Sequence, residues 1–408
     1  MTWEQWVSII ALVLALGSVV VGVIVLRHIR ARGAKVPSLG ESTERSDDAQ
    51  DGPPAFVVNP IKTPDPERFR TTATQICREL GLAEPLWFTT TATDPGLGQA
   101  EQALEQGASV VVAAGGDGTV RAVATALAGS GVPMGLVPMG TGNLLARNVD
   151  LPVEGTQALI QTALTGVDHP MDVGWIRARE LLSAEEAQAR GAIGDVEAAQ
   201  VRAASGQDPK AADDDGPAGS AQKQPPDALT RRGEHLFLVM GGIGFDAAMV
   251  AGADDNLKAR MGWFAYFVAG MRHLHGRKIR VQMQIGDAPW HQLRLRTLLF
   301  ANCGRLPGGM VLFPDAEIND GWLDVAAIDT RQGILGWASL FGKVVLQGIG
   351  FRRDLPGSPS SITFWRGRDI HVRLQRPGPL QVDGDLIGEA QSLSVRVDHN
   401  ALIVRIRS

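Results

Sequence analysis

The stretch Val110-Val111-Val112-Ala113-Ala114-Gly115-Gly116-Asp117-Gly118-Thr119 decides how this chain folds. Its first five residues are apolar without interruption, which is typical of a strand buried on both faces. A glycine-rich turn follows, and apolar residues then recur at helical spacing as far as Leu127. Similar strand–helix pairs occur before and after it. The sequence therefore predicts an α/β domain with a largely parallel sheet over residues 55–172.

The glycine-rich turn has the composition of a phosphate-binding loop. Gly115, Gly116 and Gly118 lack Cβ atoms, so their backbone N–H groups can approach a ligand closely. The helix that begins after them adds the positive end of its dipole. Asp117 would repel a phosphate, and we expect it to position Mg²⁺ or a partner that carries a cation. The alternative is a tight strand–helix turn that binds no ligand.

A second loop of the same design follows along the chain. Residues 134–138 are strand-like, Gly140-Thr141-Gly142-Asn143 supplies the turn, and a helix is predicted to start at Leu144. Parallel strands end at one edge of a sheet, so both loops are expected to face one crevice. Neither loop matches the P-loop or the Gly-x-Gly-x-x-Gly pattern of dinucleotide-binding folds. The pair therefore indicates a phosphate site of another class.

The second half of the chain is rich in predicted strands. Residues 173–408 contain apolar runs such as 293–301 and 393–397, which indicate a β-rich, sandwich-like domain. Large apolar residues are scarce between about 180 and 232, so this part is predicted to be a disordered insertion. The C-terminal strand could return to the first domain.

Residues 1–36 predict a membrane anchor with a basic flank. Val7 to Leu26 contains no charged residue and is long enough to cross a bilayer as a helix. Basic residues follow it, whereas only Glu4 is charged before it, which places the rest of the chain in the cytoplasm. Residues 37–54 read as a flexible linker. A cleaved signal peptide is the alternative, although its basic segment and cleavage site are missing. We expect a single-pass protein of the cell membrane.

Composition limits the classes of partner. The 408-residue chain has a net charge of −5, which suits nucleic-acid binding poorly. Its two cysteines, Cys77 and Cys303, lie far apart and imply neither a disulfide framework nor a cysteine metal site. A nucleic acid is therefore not an expected partner.

Both glycine loops and several later motifs resemble the diacylglycerol kinase catalytic family, the lipid-kinase branch of a superfamily that includes NAD kinases. Gly-Gly-Asp-Gly-Thr at 115–119 is specific to the superfamily, and Gly140–Asn143 followed by Ala146-Arg147 points to the lipid kinases. Further matching motifs are Gly242–Ala247, Pro314-Asp315 and Asp320–Asp324. The resemblance covers Phe56 to about Arg407 and implies a nucleotide site between an α/β domain and a β-sandwich.

The resemblance implies a lipid kinase that uses ATP and Mg²⁺. The first strand end and the two glycine loops would line the nucleotide. The implied nucleotide-binding residues are Asn59, Pro60, Lys62, Thr63, Thr90, Gly115, Gly116, Asp117, Gly118, Thr119, Gly140, Thr141 and Asn143. The acceptor would be the hydroxyl group of a diacylglycerol-like lipid, and a homodimer is left open.

The resemblance also implies a metal site in the second domain. Mg²⁺ would bind the Asp320 side chain and the backbone carbonyls of Glu317 and Trp322, a donor set that suits a hard cation. From residue type alone, Asn319-Asp320-Gly321 is equally typical of a hairpin turn that binds no metal.

The proton acceptor of the family corresponds to Asp385, and Asp383 and Asp117 complete the implied catalytic set. Family members usually carry Glu where this chain has Asp385, and often Asp where it has Leu144. Ser-Gly-Lys is frequent where this chain has Ile61-Lys62-Thr63. Two alternatives remain open. One is an NAD kinase-like enzyme, and the other is a catalytically silent, membrane-tethered protein that binds a nucleotide or a lipid.

Overall fold

The valine-rich strand lies inside a parallel sheet. In the computed structural model, this sheet comprises β1 (Pro54–Val58), β2 (Leu86–Thr89), β3 (Val110–Gly115) and β4 (Met134–Pro138). The strands are hydrogen-bonded in the order β2-β1-β3-β4, and each pair of neighbours is parallel. Every residue of β1, β3 and β4 is buried, which explains their uninterrupted apolar sequences.

The structure describes residues 52–151, 155–179, 182–183, 230–231, 233–244, 278–305, 311–330 and 360–407. The predicted anchor at 7–26 and nearly all of the predicted insertion at 180–232 lie outside these ranges. Within the described ranges, no helix is long and apolar enough to span a membrane. The anchor therefore stays a prediction from the sequence.

Helices alternate with the parallel strands. They are α1 (Pro66–Glu79), α2 (Leu97–Glu105), α3 (Asp117–Leu127), α4 (Leu144–Asn148) and α5 (Thr156–Thr165). Asp65 accepts the Arg68 N–H at the start of α1, as an N-cap residue does. α3 begins directly after the first glycine turn, and no side chain caps its N-terminus. Its residues from Thr119 to Leu127 are all buried.

An antiparallel, β-rich region follows the parallel sheet. Its strands are β5 (Val167–Arg179), β6 (Leu182–Ser183), β7 (Thr230–Arg231), β8 (Glu234–Phe237), β9 (Met240–Ile243), β10 (Ile279–Ile285), β11 (His291–Leu295), β12 (Thr297–Ala301), β13 (Leu323–Thr330), β14 (Ser360–Gly367), β15 (Asp369–Val382) and β16 (Asp385–Ile406). The sheet order continues as β4-β16-β15-β9-β12-β13-β14. A parallel α/β domain followed by a β-rich C-terminal domain is confirmed.

β16 connects the two regions. It is 22 residues long and pairs antiparallel with β15 over much of its length. Near its end, Val404 pairs in parallel with Met134 of β4, so the last strand lies beside the parallel sheet. The predicted strand at 393–397 is therefore only the middle of a much longer one.

The two regions share one apolar core. A single cluster of buried side chains includes Val111 and Met134 from the parallel sheet and Leu299 and Phe313 from the β-rich region. Full burial of a side chain of this size stabilises the folded state by about 1.5–3 kcal/mol. Because the core is continuous, side chains of one region can hold groups of the other at a fixed position.

Candidate active site

Three loops meet at the carboxyl edge of the parallel sheet. They follow β1, β3 and β4, and backbone hydrogen bonds connect them. The Asn59 N–H donates to the Ala114 carbonyl oxygen at 2.9 Å, and the Met139 N–H donates to that of Gly115 at 2.8 Å. The structure thus brings together the strand end and the two glycine loops that the sequence indicated.

Asn59 organises the loop after β1. Its side-chain oxygen accepts the Ile61 N–H at 3.0 Å and the Lys62 N–H at 3.2 Å, which closes a tight turn. The buried Thr63 hydroxyl donates to the Asn59 carbonyl oxygen at 2.8 Å. Pro60 and Lys62 are exposed, so the Lys62 ammonium group is accessible to an anionic ligand.

The other predicted nucleotide-binding residues differ in exposure. Thr119 is buried, and its hydroxyl oxygen lies 3.4 Å from the Asn59 side-chain nitrogen that donates to it. Thr90 is buried at the end of β2, where its N–H donates to the Val58 carbonyl oxygen at 3.0 Å. Thr141 is exposed in the second glycine loop. Gly115 ends β3, and Gly118 lies in the first turn of α3. The buried threonines support the loops, whereas the exposed positions can meet a ligand.

The two glycine loops are in direct contact. A Cβ atom on Gly140 would lie 3.0 Å from the Gly116 Cα, and one on Gly142 would lie 2.6 Å from an Asp117 carboxylate oxygen. Side chains at Gly140 and Gly142 would therefore push the loops apart. The glycines serve this packing in addition to the ligand access that the sequence suggested.

The Asp117 carboxylate joins the two loops. One oxygen accepts the Asn143 N–H at 2.9 Å, and the other accepts the Leu144 N–H at 2.6 Å, where α4 begins. Burial raises the pKa of Asp117, and these two N–H groups oppose the rise. The sequence favoured Mg²⁺ or a cation as its partner, whereas its described contacts are backbone amides. Asn143 has a left-handed backbone (φ 46°) and accepts the Gly140 N–H at 3.0 Å, which completes the second loop.

Asp385, the predicted base, pairs with an arginine of the first region. Its Oδ2 atom lies 2.7 Å from a guanidinium nitrogen of Arg121, on α3. The Arg121 side chain is 4% exposed, and that of Asp385 is 54% exposed. The Asp385 charge also contributes to the raised pKa of Asp117, so the two carboxylates are near one another. Asp385 therefore lies beside the glycine loops, at the boundary between the two regions.

Asp383 has a different environment. It is buried, and burial raises its pKa, while the Arg121 charge and three backbone N–H groups oppose the rise. The donors to its carboxylate are the N–H groups of Leu238 (2.8 Å), Val239 (2.9 Å) and Met240 (3.0 Å). Both carboxylate oxygens thus have donors, and Asp383 holds the start of β9 against the turn that precedes Asp385.

The predicted metal site contains an arginine. Asp320 accepts the Trp322 N–H at 3.0 Å with one oxygen and pairs with the Arg366 guanidinium through the other. Glu317 and Trp322 are exposed beside it. Within the described ranges, no three His, Cys, Asp or Glu side chains are grouped to hold a metal. This arrangement fits a salt bridge rather than a bound Mg²⁺, and the site at Asp320, Glu317 and Trp322 stays a prediction.

Asp172 is a buried carboxylate that the sequence reasoning missed. It lies in β5 and accepts the Gly321 N–H at 2.6 Å and the Asn400 N–H at 2.7 Å. The His399 Nδ1 atom lies 2.8 Å from the same carboxylate. Asp172 thus ties the turn before β13 to β16. The available signal was a single charge inside the apolar stretch 170–176, at Met171-Asp172-Val173.

Two known domain families match the chain in sequence. Residues 55–176 match the diacylglycerol kinase catalytic domain, and residues 240–405 match the YegS C-terminal NAD kinase beta sandwich-like domain. Residues 55–176 belong to the diacylglycerol kinase catalytic-domain family. The resemblance inferred from the glycine loops and later motifs is therefore confirmed. The first match contains both glycine loops, and the second contains Asp320, Asp383 and Asp385.

Bacterial relatives resemble the chain in sequence, and a solved structure resembles it in fold. The chain is 29% identical over 238 residues to the "Probable lipid kinase YegS-like" of Pseudomonas putida, covering 58% of this chain and 61% of that protein. The protein of the same name from Pseudomonas aeruginosa is 28% identical over 239 residues, covering 58% and 60%. The matches thus span less than two-thirds of these relatives. A diacylglycerol kinase from Bacillus anthracis shares the fold, with a TM-score of 0.57 at 14% identity over 87% of this chain and 97% of that one.

The two Pseudomonas relatives that match the chain are named as probable lipid kinases. The glycine turn lies at the N-terminus of α3, which no side chain caps, as in a phosphate-binding loop.

Proposed function

We propose that this protein transfers the γ-phosphate of ATP to the hydroxyl group of a diacylglycerol-like lipid. The observation that carries the proposal is the position of Asp385, a half-exposed carboxylate held beside two glycine loops by a buried arginine. A carboxylate at the edge of a phosphate-binding loop can reach both an incoming hydroxyl group and the phosphate that it attacks.

The nucleotide would bind at the edge formed by the three loops. Backbone amides of Gly115–Thr119 and the N-terminus of α3 supply partial positive charge for its phosphates. The exposed Lys62 ammonium adds a full positive charge at the same edge. A divalent metal bound with ATP would neutralise the charge that develops on the phosphates. Asp117 keeps the second loop in place by accepting two of its N–H groups.

The chemical step requires one proton acceptor. The lipid oxygen forms a bond to the γ-phosphorus, the bond from that phosphorus to the β,γ-bridging oxygen breaks, and ADP leaves. Asp385 accepts the hydroxyl proton as the new bond forms. Only its Oδ2 atom has a hydrogen-bond partner within the described residues, so Oδ1 is available for the proton.

A lipid acceptor agrees with the predicted anchor. A transmembrane helix at 7–26 would keep the catalytic region close to the bilayer that contains the substrate. We therefore propose a single-pass protein of the cell membrane whose catalytic region lies in the cytoplasm.

A labelled-phosphate assay tests the function. The protein is incubated with ATP labelled at the γ-phosphate and with total lipid extract, purified diacylglycerol or NAD. We expect labelled lipid from the wild type, and a kcat about 10²–10⁴-fold lower for Asp385→Asn with little change in the KM for ATP. Asp385→Glu should stay active, because the family usually carries Glu there. Label on NAD alone would indicate an NAD kinase-like enzyme, and ATP binding without transfer would indicate a silent binding protein.

A further inference from the structure

Arg121 is a buried cation that connects the two regions of the molecule. Its side chain is 4% exposed, and it lies in a helix whose residues from Thr119 to Leu127 are all buried. One guanidinium nitrogen donates to the Asp385 carboxylate at 2.7 Å. Another donates to the Val382 carbonyl oxygen. Both partners belong to one short turn, Val382–Asp385, which joins β15 to β16.

A guanidinium group in this position requires those partners. Burial of an ionised group costs several kcal/mol unless it is paired and hydrogen-bonded. The Arg121 charge also opposes the rise that burial causes in the pKa of Asp383, so Arg121 interacts with a second carboxylate of the same turn. One arginine of α3 thus interacts with both acidic residues, and the turn cannot move away without leaving the guanidinium unpaired.

Arg121 lies one helical turn after Asp117. Residues four apart in a helix lie on the same face, so α3 presents the glycine loop at its N-terminus and Arg121 one turn below it. We propose that Arg121 is a positioning residue that fixes Asp385 relative to the nucleotide phosphates. This inference rests on the proposed function, and it assigns to α3 both the phosphate-binding end and the support of the base.

The pairing leaves Asp385 able to act. Arg121 engages the Oδ2 atom, and Oδ1 has no hydrogen-bond partner within the described residues. An arginine side chain stays protonated in proteins, so it neither takes the substrate proton nor returns one. Arg121 therefore orients the carboxylate without competing for the proton that Asp385 accepts.

The decisive variants are Arg121→Met, Arg121→Lys, Asp385→Asn and the double variant Arg121→Met/Asp385→Asn. A catalytic group displaced by about 1 Å can lose about 100-fold in rate, so we expect Arg121→Met to lower kcat by about 100-fold with little change in the KM for ATP. Arg121→Lys keeps the charge and should recover part of this loss. The double variant should be no slower than Asp385→Asn, because both changes act through one carboxylate.

Arg405→Met is the matched control. Arg405 is also buried, and it also pairs with one aspartate and one carbonyl oxygen, at 2.8 Å from Asp168 and 2.6 Å from Leu164. Its partners belong to α5 and β5, away from the Val382–Asp385 turn. We expect Arg405→Met to lower the Tm and to leave kcat within about threefold of the wild type. Loss of a buried ion pair away from the candidate site affects folding rather than the chemical step.

Thermal unfolding gives a second readout that needs no activity. The Tm losses of Arg121→Met and Asp385→Asn should be less than additive in the double variant, because the two side chains are in contact. Additive Tm losses, or additive losses in kcat, would overturn the role of Arg121, as would a parallel change in kcat and KM. If the wild type is inactive but the Tm losses of the two single variants are still less than additive in the double variant, the lipid-kinase proposal is refuted. The Arg121–Asp385 pair is then kept.

Discussion

The two Asp-Gly turns of the β-rich region have similar sequences and different partners. The turn at Asn319-Asp320-Gly321 is held by its own region, through Arg366 of β14 and the buried Asp172 of β5. The turn at Asp383-Gly384-Asp385 is held by Arg121, which belongs to the glycine-loop domain. Only the second turn is therefore coupled to the helix that begins at the phosphate-binding loop.

This difference shows what a turn motif can and cannot specify. Gly321, Asp383 and Gly384 all have left-handed backbones, with φ of 74°, 47° and 91°, which glycine and aspartate tolerate better than most residues. Residue type thus accounts for the bends in both turns. The chemical role of each carboxylate depends on which distant side chain pairs with it, and that depends on the tertiary fold.

Asp383→Ala should cause the largest loss of stability in either turn. The substitution leaves the N–H groups of Leu238, Val239 and Met240 without their acceptor, and each buried donor costs about 1–3 kcal/mol. We expect the free energy of unfolding to fall by on the order of 4 kcal/mol, measured by urea denaturation.

Asp385→Ala is the control for Asp383→Ala, because it removes one salt bridge of a half-exposed side chain and leaves Arg121 the Val382 carbonyl oxygen as a partner. Compared with Asp383→Ala, Asp385→Ala should lose less stability and more activity. Asp383→Asn keeps a side-chain acceptor and tolerates a left-handed backbone. Its free energy of unfolding should therefore lie between those of wild type and Asp383→Ala. A larger stability loss for Asp385→Ala would reverse the structural roles of the two residues.

Asp324, beside the Asp320 turn, should make the stability of the fold depend on pH. Burial raises the pKa of Asp324 to about 6, Arg366 opposes the rise, and the charges of Asp320 and Asp315 add to it. Because this folded-state pKa is raised, the folded chain binds the proton more tightly than the unfolded chain. The contribution of Asp324 to stability therefore falls as the pH rises from about 4 to about 6.

Asp324→Asn should remove that pH dependence. Relative to wild type, the variant should gain on the order of 1–2 kcal/mol in the free energy of unfolding between pH 4 and pH 7. Urea denaturation at several pH values measures the difference. The effect of the Arg366 charge on ionised Asp324 is already contained in the raised pKa, so the slope with pH carries the result. A difference that stays constant across this range would contradict the raised pKa.

The α/β domain could be predicted from sequence because its signals are local. The valine-rich strand, the glycine turn and the helical spacing after it each depend on neighbouring residues, and they gave the correct element types. The β-rich region was harder. One predicted strand at 293–301 is two strands that separate at Arg296, and β16 extends far beyond 393–397. The mixed polar and apolar sequence of β16 reflects pairing with several partner strands, and the sequence does not specify which strands these are.

The candidate site also has a part that local sequence signals predict and a part that depends on distant residues. The loops that bring Asn59, Gly116 and Gly140 together follow from the rule that parallel strands end at one edge of the sheet. Arg121 could not be assigned, because its partner Asp385 lies 264 residues further along the chain. A charged residue that follows a glycine loop in an otherwise apolar helix was the available signal for Arg121. Asp172 gave the same kind of signal within a strand.

The smallest expected effect concerns Mg²⁺ at the Asp320 turn, where Arg366 and a metal ion would compete for one carboxylate. Arg366→Met removes the guanidinium and leaves the Asp320 oxygen free for a cation. Without ATP, we expect MgCl₂ to stabilise Arg366→Met more than wild type, by about 1.4 kcal/mol at ten times Kd, measured as a shift in Tm.

Arg368→Met is the control, because Arg368 stacks over Trp322 at 4.6 Å and leaves the Asp320–Arg366 pair intact. Adding Asp320→Asn to Arg366→Met should abolish the shift, since an anionic ligand is lost. Equal Mg²⁺ shifts in all of these variants would show that the metal binds elsewhere, and the turn at Asp320 would then be held by its salt bridge alone.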